Sequence, residues 1–289
     1  MTLESYARFL ELQGTRSIRA GDILWVSVGM GFYQAFPVHR PTLPDRSQCD
    51  RAFWSGPAVG VRFCAPPDSG IGHESFVYLI DQKGYDVSCL SANHRSKIRR
   101  GLARSRIEPI EDARIFVEKG WPLNAETLSR QGRFRPSEAL RRWRCLASAL
   151  GQVDGLRAWG AWVEGELAAI AVTFQLEDCV NLLILRSALT HRSAYPNDAL
   201  VYTIAREALS RPEVSCVSYG EESILGLDTL DSFKTGLGFE KRPVRQVLLL
   251  HPLLRWLKPL LLSRTAVRTA ARFAHVPTAR KIMGAIRLL

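Results

Sequence analysis

The stretch Gly220–Phe239, GEESILGLDTLDSFKTGLGF, decides how this chain is read. It holds Phe233-Lys234 and, just after them, Gly238-Phe239, with Tyr219-Gly220 and Gly226-Leu227 ahead. VSCVSYG precedes it as a buried strand, residues 227–236 read as a short helix, and VRQVLLLH ends the sheet. Further back, LRAWGAWV and LAAIAVTFQL flank Glu164-Gly165-Glu166, a compact hairpin turn. VNLLILRSAL follows, then a helix over 197–210 with Leu200, Ile204 and Leu209 inward. Three antiparallel strands, a helix, a strand, a helix and a strand give an α+β fold. Its sheet is mixed, mostly antiparallel, and flanked by helices.

That order, with the Phe-Lys pair and the Gly-Phe that follows it, resembles the GNAT-type acyltransferases. Within them it resembles the Fem-type branch, which builds peptidoglycan cross-bridges, and its relatives in polysaccharide operons. The resemblance implies an N-acyltransferase that moves an acyl group from a thioester, acyl-CoA, to an amine of a sugar or cell-envelope precursor. Aminoacyl-tRNA as donor is the alternative within enzymes; a non-catalytic binding module on a GNAT scaffold at the membrane surface is the alternative outside them. In the family the lysine stabilises charge, so Lys234 is the expected catalytic residue; spacing alone favours instead a surface lysine beside a core Phe233. Glu221 and Glu222, directly after a buried strand, are candidate bases for the acceptor amine, and Tyr219 orients substrate or packs. Asp228 reads as a helix cap rather than a catalytic base.

Fem-type proteins contain two GNAT-like halves, which implies a first half over 1–155, a GNAT core over 156–250 and a basic helical tail over 251–289. The donor would run along VNLLILRSAL, beside Leu183 and Leu185, with its phosphates near Arg192 and the helix start at Asn197. Tyr195 and Asn197 stand where the usual loop has small residues, which favours the non-catalytic alternative.

The rest of the first half reads as follows. Residues 3–13 form a short helix ending near Gly14. ILWVSV and FYQAFPV flank a Gly-rich turn as a hairpin, and residues 37–57 read as a loop. AVGVRFCA, FVYLID and DVSCL read as three strands. Ser91 caps a helix over 92–105 with Ile98 and Leu102 on its inward face. Residues 112–120 and 124–131 read as two short helices, and Ser137 caps another that Gly151 ends. Arg95 and Arg99 fall on one side of the Arg-rich helix; they bind substrate phosphate or carboxylate, or are a solvated face. Arg130 belongs to a second arginine set with the same two readings.

Charge is unevenly placed. Of 39 Lys and Arg, 11 lie after residue 240, where no Asp or Glu occurs, so the net charge of +11 is a C-terminal property. Arg255 and Lys258 among Leu and Trp, and Arg264, Arg268 and Arg272 at helical spacing, fit either an anionic membrane surface or a helical pair packed on the core. No DNA motif occurs, and tRNA is a weaker candidate partner than a small glycan precursor. None of the 6 cysteines forms CxxC, and the 6 histidines form no HExxH, so no metal is expected. The opening residues lack a signal-peptide layout and no run of about 18 apolar residues occurs. The expectation is a cytoplasmic protein with reduced thiols, peripheral at the inner face of the membrane.

Overall fold

The computed structural model describes residues 2–132, 134–222 and 228–257. In chain order the elements are α1 (Leu3–Leu12), β1 (Ser17–Ala20), β2 (Ile23–Gly29), β3 (Phe32–Phe36), α2 (Arg46–Trp54), β4 (Gly60–Ala65) and β5 (His73–Ile80). Next come α3 (Ala92–Arg104), β6 (Arg106–Pro109), α4 (Ala113–Arg130), α5 (Pro136–Ala149), β7 (Leu156–Val163), β8 (Glu166–Leu176) and β9 (Cys179–Ser187). The last are α6 (Pro196–Ser210), β10 (Cys216–Glu221), α7 (Asp228–Gly236) and β11 (Glu240–Leu250). The chain forms two compact units: one holds residues 1–14, 78–220 and 229–240, and the other the remainder.

In the second unit β1, β2 and β3 pair antiparallel, α2 follows, and β4 returns parallel to β3. The first unit has the same sequence of events. β7, β8 and β9 pair antiparallel, α6 follows, and β10 returns parallel to β9, with β6 added beside β7. A parallel return needs a crossover, and a helix supplies it in both units. β11 pairs antiparallel with β4 from Leu250 opposite Gly60 to Arg245 opposite Ala65. The strand expected to close the sheet of residues 156–250 thus completes the unit built around residues 15–77. β5 is the counterpart, ending in the first unit beside β10.

Alternation places the cores. In the second unit Tyr33, Ala35, Val61, Phe63, Ala65 and Val247 face α2, whose Ala52 and Phe53 are buried among them with Trp25. The cross-strand partners of the other register, Gln34 opposite Arg62 and Cys64 opposite Gln246, put a polar row on the opposite face. In the first unit α6 buries Leu200, Ile204 and Leu209 as expected, together with Ala199, Val201, Tyr202, Ala205 and Ala208.

Several local expectations give way to structure. Residues 46–54 are helical, because Asp45 and Gln48 form a reciprocal capping box: Gln48 N donates to Asp45 Oδ1 at 2.8 Å and Asp45 N to Gln48 Oε1 at 3.0 Å. DVSCL is a 3-10 turn, Val87–Cys89, whose entry is fixed by Ser88 N donating to Asp86 Oδ1 at 2.6 Å. The two short helices are one, α4, with Pro122 inside it. Its buried face, Phe116, Gly120, Leu123, Asn124 and Thr127, spans the proline, and burial on both sides offsets the lost backbone bond. Pro136 opens α5 and Ser137 does not cap it.

On α3 Ile98 is buried, but Leu102 is 39% exposed. The inward position belongs to Gly101, where an added Cβ would lie 2.7 Å from the Tyr195 carbonyl oxygen and 2.9 Å from Ala199 Cβ on α6. Gly101→Ala therefore tests this close approach by the sign of its effect. In an uncrowded helix interior the change stabilises by about 1 kcal/mol. Here overpacking of about 1–3 kcal/mol opposes it, so urea unfolding should show a net loss of stability.

Candidate functional site

Lys234 is positioned by the end of α7. Phe239 N donates to the Lys234 carbonyl at 3.2 Å and Gly238 N to that of Thr235 at 3.0 Å. This paired closure is the Schellman motif, and it requires the left-handed backbone that Gly238 adopts at φ +86. A Cβ on Gly238 would also meet Leu90 Cδ2 at 3.0 Å and Tyr85 Cε2 at 3.1 Å. Lys-Thr-Gly-Leu-Gly-Phe is thus a local cap that carries Leu237 and Phe239 into the core and fixes the lysine before them.

The lysine is not a surface residue: it is 3% exposed. Its Nζ lies 3.9 Å from the centre of the Tyr78 ring and 5.1 Å from that of Tyr219. Ring faces carry negative potential and attract an ammonium, most strongly where water is excluded. Tyr219 meets Phe239 edge-on at 5.3 Å and Phe233 at 6.4 Å, so both flanks of its ring are held. Burial pushes the Tyr219 phenol well above its ordinary range, against a smaller opposing effect of Arg186.

A cleft of about 490 Å³ opens against these rings. Its origin is the parting of two parallel strands. β9 and β10 are in register at Cys179–Cys216, Val180–Val217 and Asn181–Ser218. β9 continues to Ser187, with Leu182–Ser187 half-buried where its first residues are buried. Leu183 is the extra residue of a bulge, since Leu182 pairs with Thr173 and Ile184 with Val172. The cleft is lined by Leu185, Ser187, Asn197, Tyr219, Leu230 and Phe233, and by Thr127, Arg130 and Gln131 from the end of α4. One side is apolar, and the other presents amide, hydroxyl and guanidinium groups.

Asn197 sits at the start of α6, where Pro196 occupies the first turn and Tyr195 is left-handed at φ 54. The backbone therefore makes the turn that the expected small residues would make, at the strain cost of a non-glycine residue. Asn197 Nδ2 donates to Ser187 Oγ at 2.9 Å, and its buried Oδ1 has no partner among the described residues. Arg130 donates to Thr127 Oγ1 and to the Ser187 carbonyl, both at 3.3 Å.

The structure thus brings together Leu185, Asn197 and Tyr219 at the cleft, with Lys234 behind Tyr219 and Phe233. Arg192 is exposed in the 3-10 turn before α6 and is not among the lining residues; the cationic group at the cleft is Arg130. Nothing in the sequence singles out Arg130, one of several arginines in its stretch. Arg95 donates to the Leu90 carbonyl at 2.8 Å, and Arg99 is exposed. Glu221 and Glu222 belong to the second unit. There Glu221 Oε1 is paired with Arg62, and Gln34 Nε2 donates to its Oε2 at 3.1 Å. Glu222 Oε2 accepts from Ser75 at 3.1 Å, and Ser75 Oγ in turn accepts from Gln246. Gly226-Leu227 and residues 258–289 lie outside the described residues. Among the described residues no group of three or more His, Cys, Asp or Glu could hold a metal ion. No described helix is long and apolar enough to cross a membrane.

No family model matches the sequence, and no curated protein matches it. Solved structures do. A C-terminal domain assigned to a lysylphosphatidylglycerol synthetase from Agrobacterium fabrum is 14% identical over 91% of this chain and 94% of that one, with TM-score 0.56. FemX is 12% identical over 87% and 92%, with TM-score 0.57. L-PGS from Bacillus licheniformis is 14% identical over 90% and 96%, with TM-score 0.52. At such identities the likeness is one of fold, and the fold is GNAT-like.

Burial raises the phenols of Tyr6 and Tyr85 as well as Tyr219. An unfolded phenol ionises near pH 10. Above that pH the unfolded chain releases protons that the native one retains, so stability falls as pH rises. Below it these groups cost nothing. Each such tyrosine steepens the loss by about 1.4 kcal/mol per pH unit. Urea midpoints should therefore be insensitive to these groups up to about pH 9 and fall above about pH 10, and Tyr219→Phe should make the fall shallower.

Proposed function

We propose that the chain is an N-acyltransferase that moves an acyl group from a thioester donor, acyl-CoA, to an amine of a sugar or cell-envelope precursor. The observation that carries this reading is Lys234, a buried ammonium held on two tyrosine faces behind a cleft between parted parallel strands. A thioester arm is neutral, amide-bearing and narrow, and the cleft offers an apolar wall, polar groups and the Arg130 guanidinium. The amine nitrogen attacks the thioester carbonyl, and the C–N bond forms as the carbonyl oxygen takes up negative charge. The C–S bond then breaks, and the proton given up by the nitrogen ends on the departing sulfur, so that amide and thiol are the products. A fixed cation in a water-poor site stabilises the developing charge because it needs no reorganisation. Asn197 and Arg130 lie where the donor's polar end would rest, the amide with its unused Oδ1 accepting from an amide N–H. Both Glu221 oxygens are engaged by Arg62 and Gln34, so no proton transfer is routed through it.

A second reading takes aminoacyl-tRNA as donor. The likeness to FemX and to a lysylphosphatidylglycerol synthetase domain favours it, since a lysyl ester of a lipid is itself an aminoacyl-transfer product. Both readings need Lys234 charged.

Lys234→Met, which keeps the stem and removes the charge, should lower turnover by about two orders of magnitude while circular dichroism is unchanged. Native mass spectrometry of the purified chain with CoA, acyl-CoA and aminoacyl-tRNA separates the donors. Retained acyl-CoA supports the first reading and retained aminoacyl-tRNA the second. Full turnover by the methionine variant would remove Lys234 from the chemistry.

A further inference from the structure

The second unit ends in a cluster that neither the cleft nor its chemistry uses. His251 closes β11, with its backbone N–H donating to the Val59 carbonyl at 2.9 Å. Its ring is buried, edge-on to Phe53 at 5.3 Å and to Trp54 at 4.6 Å. Its Nδ1 accepts from Leu253 N at 3.2 Å, and Trp256 Nε1 donates to the Leu253 carbonyl at 2.8 Å. The histidine thus joins the end of α2 to the 3-10 turn that follows β11. Around it three large apolar side chains point outward: Trp54 is 61% exposed, Leu253 64% and Trp256 74%.

Single exposed apolar residues need no explanation, but three gathered on one anchor do. The charge beside them is positive. Arg255 is exposed within the same turn, and Arg51 is exposed one helical turn before Trp54. Asp50 is the nearby acid on α2, and Arg46 pairs with it at 3.5 Å. In sequence the turn of the cluster lies within residues 241–289, which carry 11 Lys and Arg and no Asp or Glu.

We propose that Trp54, Leu253 and Trp256 form a docking face for an anionic bilayer, inserted at the headgroup level with Arg51 and Arg255 among the lipid phosphates. Tryptophan suits that depth because its ring is large and apolar with one polar edge. Leucine adds apolar insertion but cannot stack on a base, which favours lipid over nucleic acid. A second copy of the chain would bring like charge against like. Electrostatic attraction and apolar insertion act together in such contacts, so neither neutral lipid nor charge alone should hold the protein.

The full chain is tested by co-sedimentation with vesicles of phosphatidylcholine alone and of equal parts phosphatidylcholine and phosphatidylglycerol. Binding is expected to the mixed vesicles only, weakening as salt shortens the screening length. Trp54→Ser with Trp256→Ser should lower the partition coefficient by about tenfold or more, from lost apolar burial. Both side chains are exposed, and circular dichroism checks that the fold survives. Independently of any variant, lipids brominated near the headgroup should quench part of the wild-type tryptophan fluorescence. Equal binding to both vesicle types, none to either, or an unaltered partition in the double variant would overturn the proposal. So would a wild-type dimer in lipid-free solution that the double substitution dissolves, which would assign the face to a second copy.

Discussion

The candidate site depends on keeping one ammonium out of water. Removing a charge from water costs several kcal/mol even after relaxation, and a group left without compensation would shed its proton or expose itself instead. At Lys234 the rings of Tyr78 and Tyr219 supply part of that compensation, about 2 kcal/mol for a desolvated contact. The arrangement works only if the lysine cannot swing away. Its backbone is therefore the fixed end of a helix cap, locked by a glycine that no other residue replaces without strain. Tyr219 in turn is wedged between Phe233 and Phe239, residues of the same cap. Site and local fold are one structure here, so changes to Gly238 or Tyr219 act on the lysine through packing.

The repeated order of three antiparallel strands, a crossover helix and a parallel strand accounts for much of the rest. Each parallel return ends with a strand whose outer edge needs a further partner, since an unpaired edge invites association. The strand that meets β4 is β11, from far along the sequence, and β5 lies beside β10. Both pairings join distant parts of the chain, and non-local pairing is slow to form. The two units have diverged in what they do with the same plan. In one, the parted parallel strands make a cleft against a buried lysine. In the other, the polar row Gln34, Arg62 and Cys64 engages Glu221.

What was legible in sequence is what local chemistry dictates. The hairpin at Glu164-Gly165 needs two left-handed residues, and both are left-handed. The strands of residues 156–187 and the helix over 197–210 carry their periodicity openly. The reciprocal cap of Asp45 and Gln48 is a signal of the same local kind, and it makes a helix of residues 46–54, whose composition reads as loop. The rest was illegible for a physical reason. Leu102 loses the inward position to Gly101 because α6 approaches too closely for a side chain, and nothing within α3 announces that neighbour. Arg130 reaches the cleft because a proline fails to break α4, which tertiary burial decides. The partner of β11 is set by a register with β4 about which residues 240–250 carry no information.

Glu221 shows why a carboxylate after a buried strand is ambiguous. The position is where functional groups gather in α/β sheets, and it is also where a chain leaving a sheet can tie down its exit. The deciding observation is what the oxygens touch. An arginine and a glutamine that are themselves a cross-strand pair hold Glu221, so its charge is compensated inside the second unit. Removing one partner of this half-buried pair leaves the other uncompensated, whereas a general base needs an oxygen that can release its partner during each turnover. The lysine and the glutamate that follow one strand and one turn of the same stretch therefore differ in kind. Lys234 is buried against the faces of two rings behind the cleft, and both Glu221 oxygens are engaged by Arg62 and Gln34.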